Sequence, residues 1–359
     1  MAFGRRILSS IFDNKNDSDQ EKNFLKNGSM FLEDLMAFSN GKYNTSIRRF
    51  SIQELSQATN GFCSDQIVLD YYYFNIYKGS FDKHLILIKK HNELHSKNTK
   101  SQVIRDMVIT SLMSSHKNVF KLIGCCLDFD FPASIYEYAV ASGGSIELLS
   151  KRLYESEGGS MAENGGSSSF TWKSRLKIAN DIAYAVIYMH TAFSTPIIHR
   201  DLKPRNIIID QSGVAKLLDF SLSISIPSGE TQVEDVMAGT RPYMDPDFML
   251  TGFLTLKSDV YSFGMILLEL LTGKRSMYLA LPEWVKDSVE KDQFNEFVDP
   301  RILKERGGIE QGKQLQAVVA LALRCTLYNK EDRPEMIDVT KELRGMLKSD
   351  CPSSSTEPL

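Results

Sequence analysis

No run of about 18 consecutive apolar residues occurs, so the chain is not expected to cross a membrane as a helix. Cysteine is sparse: 5 in 359 residues, an odd number, with Cys125 and Cys126 adjacent. That argues against a disulfide framework and suits a reducing compartment. An excess of either charge is missing too. A net charge of −3 argues against bulk binding to nucleic acid or to a membrane through a basic surface. Position 2 is Ala2 rather than glycine, so N-myristoylation is not supported, and Thr356-Glu357-Pro358-Leu359 is no prenylation signal. Residues 3–12 hold two arginines among apolar residues, but Asp13, Asp17 and Asp19 follow at once, which speaks against a transit peptide. The expected location is the cytoplasm, with the plasma membrane reached only through partners. Glycine, finally, is absent between Gly61 and Gly79.

What is present centres on Ile197 to Ser221. Two β-like apolar runs, Ile207-Ile208-Ile209 and Val214 to Leu218, are joined by a turn at Gln211-Ser212-Gly213. The loop before them reads His199-Arg200-Asp201-Leu202-Lys203-Pro204-Arg205-Asn206. A second carboxylate, Asp219, follows 13 residues after Asn206. This set suits phosphoryl transfer: Asp201 accepts a hydroxyl proton, Lys203 neutralises developing charge, and Asn206 with Asp219 holds divalent metal on the phosphates.

The loop resembles that of the protein kinases, whose H-R-D-L-K-x-x-N pattern it matches without a mismatch. The metal motif D-F-G reads Asp219-Phe220-Ser221 and has lost its glycine. The resemblance covers about residues 50–347 and implies an α+β, bilobal kinase fold. A small five-stranded β lobe with an αC helix is expected over about 50–138, and a larger, mostly α-helical lobe over about 139–347. Residues 1–49 form an N-terminal extension and 348–359 a disordered tail. Residues 155–169, nearly all Gly, Ser, Glu and Asn, read as a flexible insertion.

Local patterns fit this frame. Phe50 to Leu55 with Ala58-Thr59-Asn60-Gly61-Phe62 looks like the lead-in helix of plant receptor-like kinases. Gln102–Ser115 is the expected αC helix. Trp172–His190 repeats apolar residues at spacings of three and four. A buried helix starts near Asp259, which matches the family residue bracing the catalytic loop, and two more lie around Leu315–Tyr328 and Met336–Leu347.

The nucleotide machinery departs from the family. Its glycine-rich loop aligns with Leu69, Tyr71 and Phe74, where side chains prevent the close backbone approach that phosphates need. Lys89 matches the phosphate-binding lysine. Leu87 replaces the small residue that roofs the adenine. A gapless alignment puts Met107 at the αC acid position. One extra residue puts Asp106 there, and this is preferred because Val108 and Ile109 then keep apolar register. In the activation segment, Thr231 is the nearest hydroxyl upstream of Glu234-Asp235, which stand where relatives carry phosphorylated residues. These carboxylates either imitate phosphate beside Arg200 or are simply solvated. Thr240 lies in Gly239-Thr240-Arg241-Pro242-Tyr243, an altered substrate-docking stretch, and Asp247 is expected to pair with Arg333.

These departures make the chain similar to the ZRK-type pseudokinases, as do Asn40-Gly41-Lys42 and Ile47-Arg48-Arg49-Phe50. By that resemblance it is an adaptor on the leucine-rich repeats of a coiled-coil NLR immune receptor. There it would report bacterial effectors that modify it or a second, active receptor-like cytoplasmic kinase. ATP and Mg2+ would bind weakly. The alternative is a working serine/threonine kinase with an unusual nucleotide lid. Ahead of the kinase-like region, residues 13–23 are polar and Phe24 to Phe38 has helical spacing, with Ser29 a candidate N-cap and Asn40-Gly41 a stop. Phe31, Leu35 and Phe38 fall at i, i+4 and i+7, and Leu32 and Met36 widen the stripe. It serves either the chain's own domain or a docked partner.

Overall fold

The computed structural model describes residues 3–39, 47–92, 99–138, 146–154, 170–276, 280–305 and 307–349. The insertion 155–169, Asn40-Gly41 and the tail from residue 350 lie outside them. Two compact units make up the chain: Met1–Gly144 with Asp219–Ser221, and Ser145–Leu218 with Leu222–Leu359. No helix among the described residues is long and apolar enough to cross a membrane.

The first unit begins with α1 (Phe3–Ser39), followed by β1 (Arg48–Arg49), α2 (Ile52–Ala58), β2 (Ile67–Asp70), β3 (Phe74–Phe81), β4 (His84–His91), α3 (Lys100–Leu112), β5 (Leu122–Cys126) and β6 (Ala133–Glu137). The expected five strands are six, in the order β1-β5-β6-β4-β3-β2, because β1 adds to β5 in parallel at Gly124 and Cys125. Gly124 permits this. A Cβ there would stand 2.3 Å from the Phe50 ring and 2.7 Å from the Arg48 carbonyl.

Strand alternation divides the sheet. Tyr77, Ile86 and Ile88 face Phe50 and Leu55 in one apolar cluster. Helix α2 forms there because Ser51 and Glu54 close a capping box. Phe74, Ile76, Leu87, Lys89 and His91 lie on the opposite face, where α3, the αC helix, supplies Asp106.

Helix α1 corrects the reading of the extension. Ser29 is no cap: it lies within a 37-residue helix, its hydroxyl donating to the Lys26 carbonyl. No proline interrupts residues 3–39, and the polar stretch 13–23 is helical as well. The helix is tied down by buried Asn27, whose amide donates to the Leu127 and Phe129 carbonyls at 2.9 Å each. Arg49 binds Asp128 at 3.0 Å and lies 3.7 Å over the Phe24 ring. The apolar stripe is therefore split. Phe31, Leu35 and Phe38 are buried, whereas Leu32 and Met36 are 58% and 61% exposed.

The second unit carries β7 (Glu147–Leu148), α4 (Leu149–Tyr154), α5 (Trp172–Thr191), β8 (Ile197–Ile198), β9 (Ile207–Ile209), β10 (Ala215–Leu217), β11 (Ile224–Ser225) and β12 (Val233–Glu234). After these come α6 (Pro246–Thr251), β13 (Phe253–Leu254), α7 (Leu256–Thr272), α8 (Leu281–Glu290), α9 (Phe294–Phe297), α10 (Pro300–Leu303), α11 (Gly308–Cys325) and α12 (Met336–Ser349). Helix α7 is buried continuously from Ser258 to Thr272, as its nearly continuous apolar run from Val260 to Leu271 leads one to expect. Strands β9 and β10 form the hairpin expected around Gly213 and display the catalytic loop ahead of it.

Candidate active site

In the second unit, Asp259 at the start of α7 organises the loop. Its carboxylate accepts the backbone N–H groups of His199 and Arg200 at 2.8 and 2.9 Å, and His190 Nε2 lies 2.9 Å away. Burial alone would raise its pKa. The His190 hydrogen bond and the Arg200 N–H outweigh that and hold it below the usual carboxylate value. These bonds keep Arg200 in a left-handed conformation, φ +74°, which a non-glycine residue enters only at a cost of about 1–2 kcal/mol.

The sequence-identified residues converge around Asp201. Lys203 Nζ donates to its carboxylate at 2.6 Å and to Thr240 Oγ1 at 2.7 Å; Thr240 donates to Asp201 at 2.6 Å. Asn206 donates to the Asp201 carbonyl and carboxylate at 2.9 and 3.1 Å, which leaves its amide oxygen as the atom for a divalent ion. Arg200 binds the Asp235 carboxylate at 2.6 Å and also donates to the Val236 carbonyl. Of the two candidate phosphate mimics, then, Asp235 takes the arginine. Glu234 is exposed in β12, and Thr231 is exposed ahead of it.

One pairing is corrected. Arg333 meets Asp245 at 2.8 Å, both fully buried, while Asp247 pairs with Lys330 at 2.9 Å. Asp245 caps α6 and so stands inside. Asp247, a methylene shorter than the glutamate of the family pattern, pairs with Lys330.

In the first unit, Lys89 is buried with its Nζ 2.9 Å from Asp106 and 3.5 Å from Asp219. The αC acid is therefore Asp106; Met107 belongs to the apolar core. Burial would strip Lys89 of its proton, but the two carboxylates prevail and hold its pKa above the usual lysine value. Asp106 also accepts the Phe220 N–H at 2.7 Å, tying the segment after Asp219 to α3. Asp219 has φ +66°, whereas Ser221 has an ordinary negative φ, so the lost glycine costs this backbone nothing.

The glycine-loop equivalent is a closed turn. Tyr71 N–H bonds to the Phe74 carbonyl at 3.0 Å, and Asn92 holds the tip through the Tyr73 and Tyr72 carbonyls. Tyr71 stacks on Phe74 at 4.3 Å, and Leu69, Tyr71 and Phe74 are all buried. Phe74 lies opposite His91 and diagonal to Lys89, and its ring centroid is 4.1 Å from Lys89 Nζ. Leu87 is buried on the same face. These residues fit a nucleotide's phosphates poorly. The Phe74 ring lies over the lysine that would receive them, and no glycine lets the backbone approach.

His91 yields a pH test. Burial, aided by the neighbouring Lys89 charge, pushes its pKa down to about 3. The unfolded chain takes that proton below about 6.5, so this part of stability is full above pH 6.5 and is lost as pH falls towards 3. At pH 5.5 the chain is expected to have lost about 1.4 kcal/mol that a His91→Phe variant retains. Urea unfolding at pH 7.5 and 5.5 measures this; parallel losses in the two proteins would contradict it.

Sequence reasoning missed the Asn92 tether and the Asn27 anchor. Asn27 was detectable in principle, because it continues the Phe31–Leu35 spacing one turn earlier with a polar residue.

Comparison with known proteins agrees with this geometry. Residues 68–343 match the family model described as protein tyrosine and serine/threonine kinase. The chain is 40% identical over 347 residues to the non-functional pseudokinase ZED1 of Arabidopsis thaliana, an alignment covering 92% of this chain and 98% of that one. It is 38% identical to the serine/threonine-protein kinase ZRK1 of the same plant, covering 95% and 97%. It is 36% identical to the non-functional pseudokinase ZRK2, covering 92% of each. The chain belongs to the protein tyrosine and serine/threonine kinase family, in its ZRK-type group of plant kinases and pseudokinases.

Proposed function

We propose that the protein is a pseudokinase-like adaptor in plant immune sensing. It links the leucine-rich repeats of an NLR receptor to an effector-modified receptor-like cytoplasmic kinase, in the cytoplasm or at the plasma membrane through those partners. The carrying observation is Phe74 over Lys89 in a turn without glycine. Catalysis of phosphoryl transfer is mostly positioning and electrostatics, so a well-ordered Asp201 does not compensate for a badly held nucleotide. Relatives carrying the words non-functional pseudokinase support the reading. The exposed Leu32 and Met36 on α1 offer apolar anchors of the kind a repeat surface takes up.

Mg-ATP titrated into the full chain by calorimetry is expected to bind no tighter than about 100 μM, roughly −5.5 kcal/mol. A low-micromolar dissociation constant would overturn this and favour the second reading, an active serine/threonine kinase. That reading draws on the assembled Asp201, Lys203, Asn206 and Thr240, and on relatives named as serine/threonine kinases.

A further inference from the structure

Loss of the glycines explains why a phosphate loop would be stiff, but not why Lys89 would be out of reach. Lys89 is the cation that polyphosphate needs, and its surroundings are filled from within the first unit. Asp106 takes a hydrogen bond from its ammonium, and Asp219 lies 3.5 Å from it. The Phe74 ring covers it at 4.1 Å, close enough for the negative face of the ring to attract the ammonium. The ring is not a loosely placed side chain. It is 3% exposed, with Tyr71 stacked on it at 4.3 Å and 25° and His91 5.6 Å away. The turn that carries it is closed by its own hydrogen bond and tethered by Asn92.

We propose that Phe74 is an internal cap on Lys89, occupying the place of a nucleotide's phosphates, and that this single ring, more than the missing glycines, keeps polyphosphate off the lysine. The cap selects against phosphate in particular. It competes with phosphate for the ammonium. The proposal deepens the pseudokinase reading and rests on its claim that nucleotide binding is weak.

The test uses the full chain and three probes: ATP with Mg2+, inorganic tripolyphosphate and adenosine, each followed by calorimetry. Phe74→Ala is expected to tighten ATP and tripolyphosphate at least tenfold relative to the unaltered chain and to leave adenosine unchanged. Tyr72→Ala, at an exposed ring on the same turn, is expected to give less than a threefold change with any probe. Phe74→Leu keeps apolar bulk without the ring's charge distribution and is expected to fall between; it decides the matter if Phe74→Ala fails to show a cooperative melt. Folded Phe74 variants that bind ATP no better than the unaltered chain overturn the cap. So does an equal gain for adenosine, which would reveal mere vacated volume, or a Tyr72→Ala gain as large as that of Phe74→Ala. Tight ATP binding by the unaltered chain is a different failure: it removes the weak-nucleotide reading itself.

Discussion

Replacing Asp106 by Leu is expected to destabilise the protein by about 3–5 kcal/mol, the usual cost of removing one partner from a buried ion pair. Lys89 is almost fully buried, and Asp106 gives it its shorter carboxylate contact, 2.9 Å against 3.5 Å for Asp219. The same substitution removes the carboxylate that accepts the Phe220 N–H at 2.7 Å. Lys89→Met alone is expected to be damaging too, because it leaves buried Asp106 and nearby Asp219 without the cation they share. The double variant, Asp106→Leu with Lys89→Met, is expected to recover much of the loss, since a buried pair contributes little net stability over apolar residues of similar volume. Urea unfolding of all four proteins gives the coupling energy directly. Simple additivity would show that the three charges do not act as one network.

Two neighbouring residues on α1 are expected to respond in opposite ways. Leu35 is 3% exposed, so Leu35→Glu places a carboxylate among apolar groups and should cost about 3 kcal/mol or more, read as a lowered melting temperature. Met36 is 61% exposed, so Met36→Glu should shift stability by no more than about 0.5 kcal/mol. If α1 docks on the receptor repeats, however, Met36→Glu should weaken the complex by about 2 kcal/mol, as loss of an apolar anchor does. Co-purification with the receptor, alongside melting curves, separates the two. A complex that survives both Met36→Glu and Leu32→Glu would remove α1 from the interface and leave it a purely structural helix.

The difference between Leu35 and Met36 shows where sequence reading reaches its limit. The catalytic loop was legible because its functional groups lie on one contiguous segment, at spacings that survive without any knowledge of packing. Lys203 and Asn206 duly reach the Asp201 carboxylate within 3.1 Å, joined there by Thr240 from outside the loop. The α1 stripe was legible as helical but not as two faces. Phe31, Leu35 and Phe38 differ from Leu32 and Met36 only in what the rest of the unit places beside them, and hydrophobicity carries no record of that. The same holds for choices between near neighbours. Asp245 and Asp247 are two residues apart, and only the cap geometry of α6 sends the first to Arg333. Glu234 and Asp235 are adjacent, and the arginine chooses the second. The sixth strand was missed because Arg48-Arg49 has no alternation of its own; it pairs because Gly124 leaves room for Phe50.

The contact between Arg200 and Asp235 has a consequence for control. In a segment organised by phosphate, the link to the loop arginine exists only after a kinase has acted and vanishes when a phosphatase has. Here the anion is written into the gene. Asp235 is made with the chain, cannot be hydrolysed off, and carries a single negative charge instead of nearly two. The Arg200–Asp235 link therefore forms without any kinase acting on residue 235, and no phosphatase undoes it.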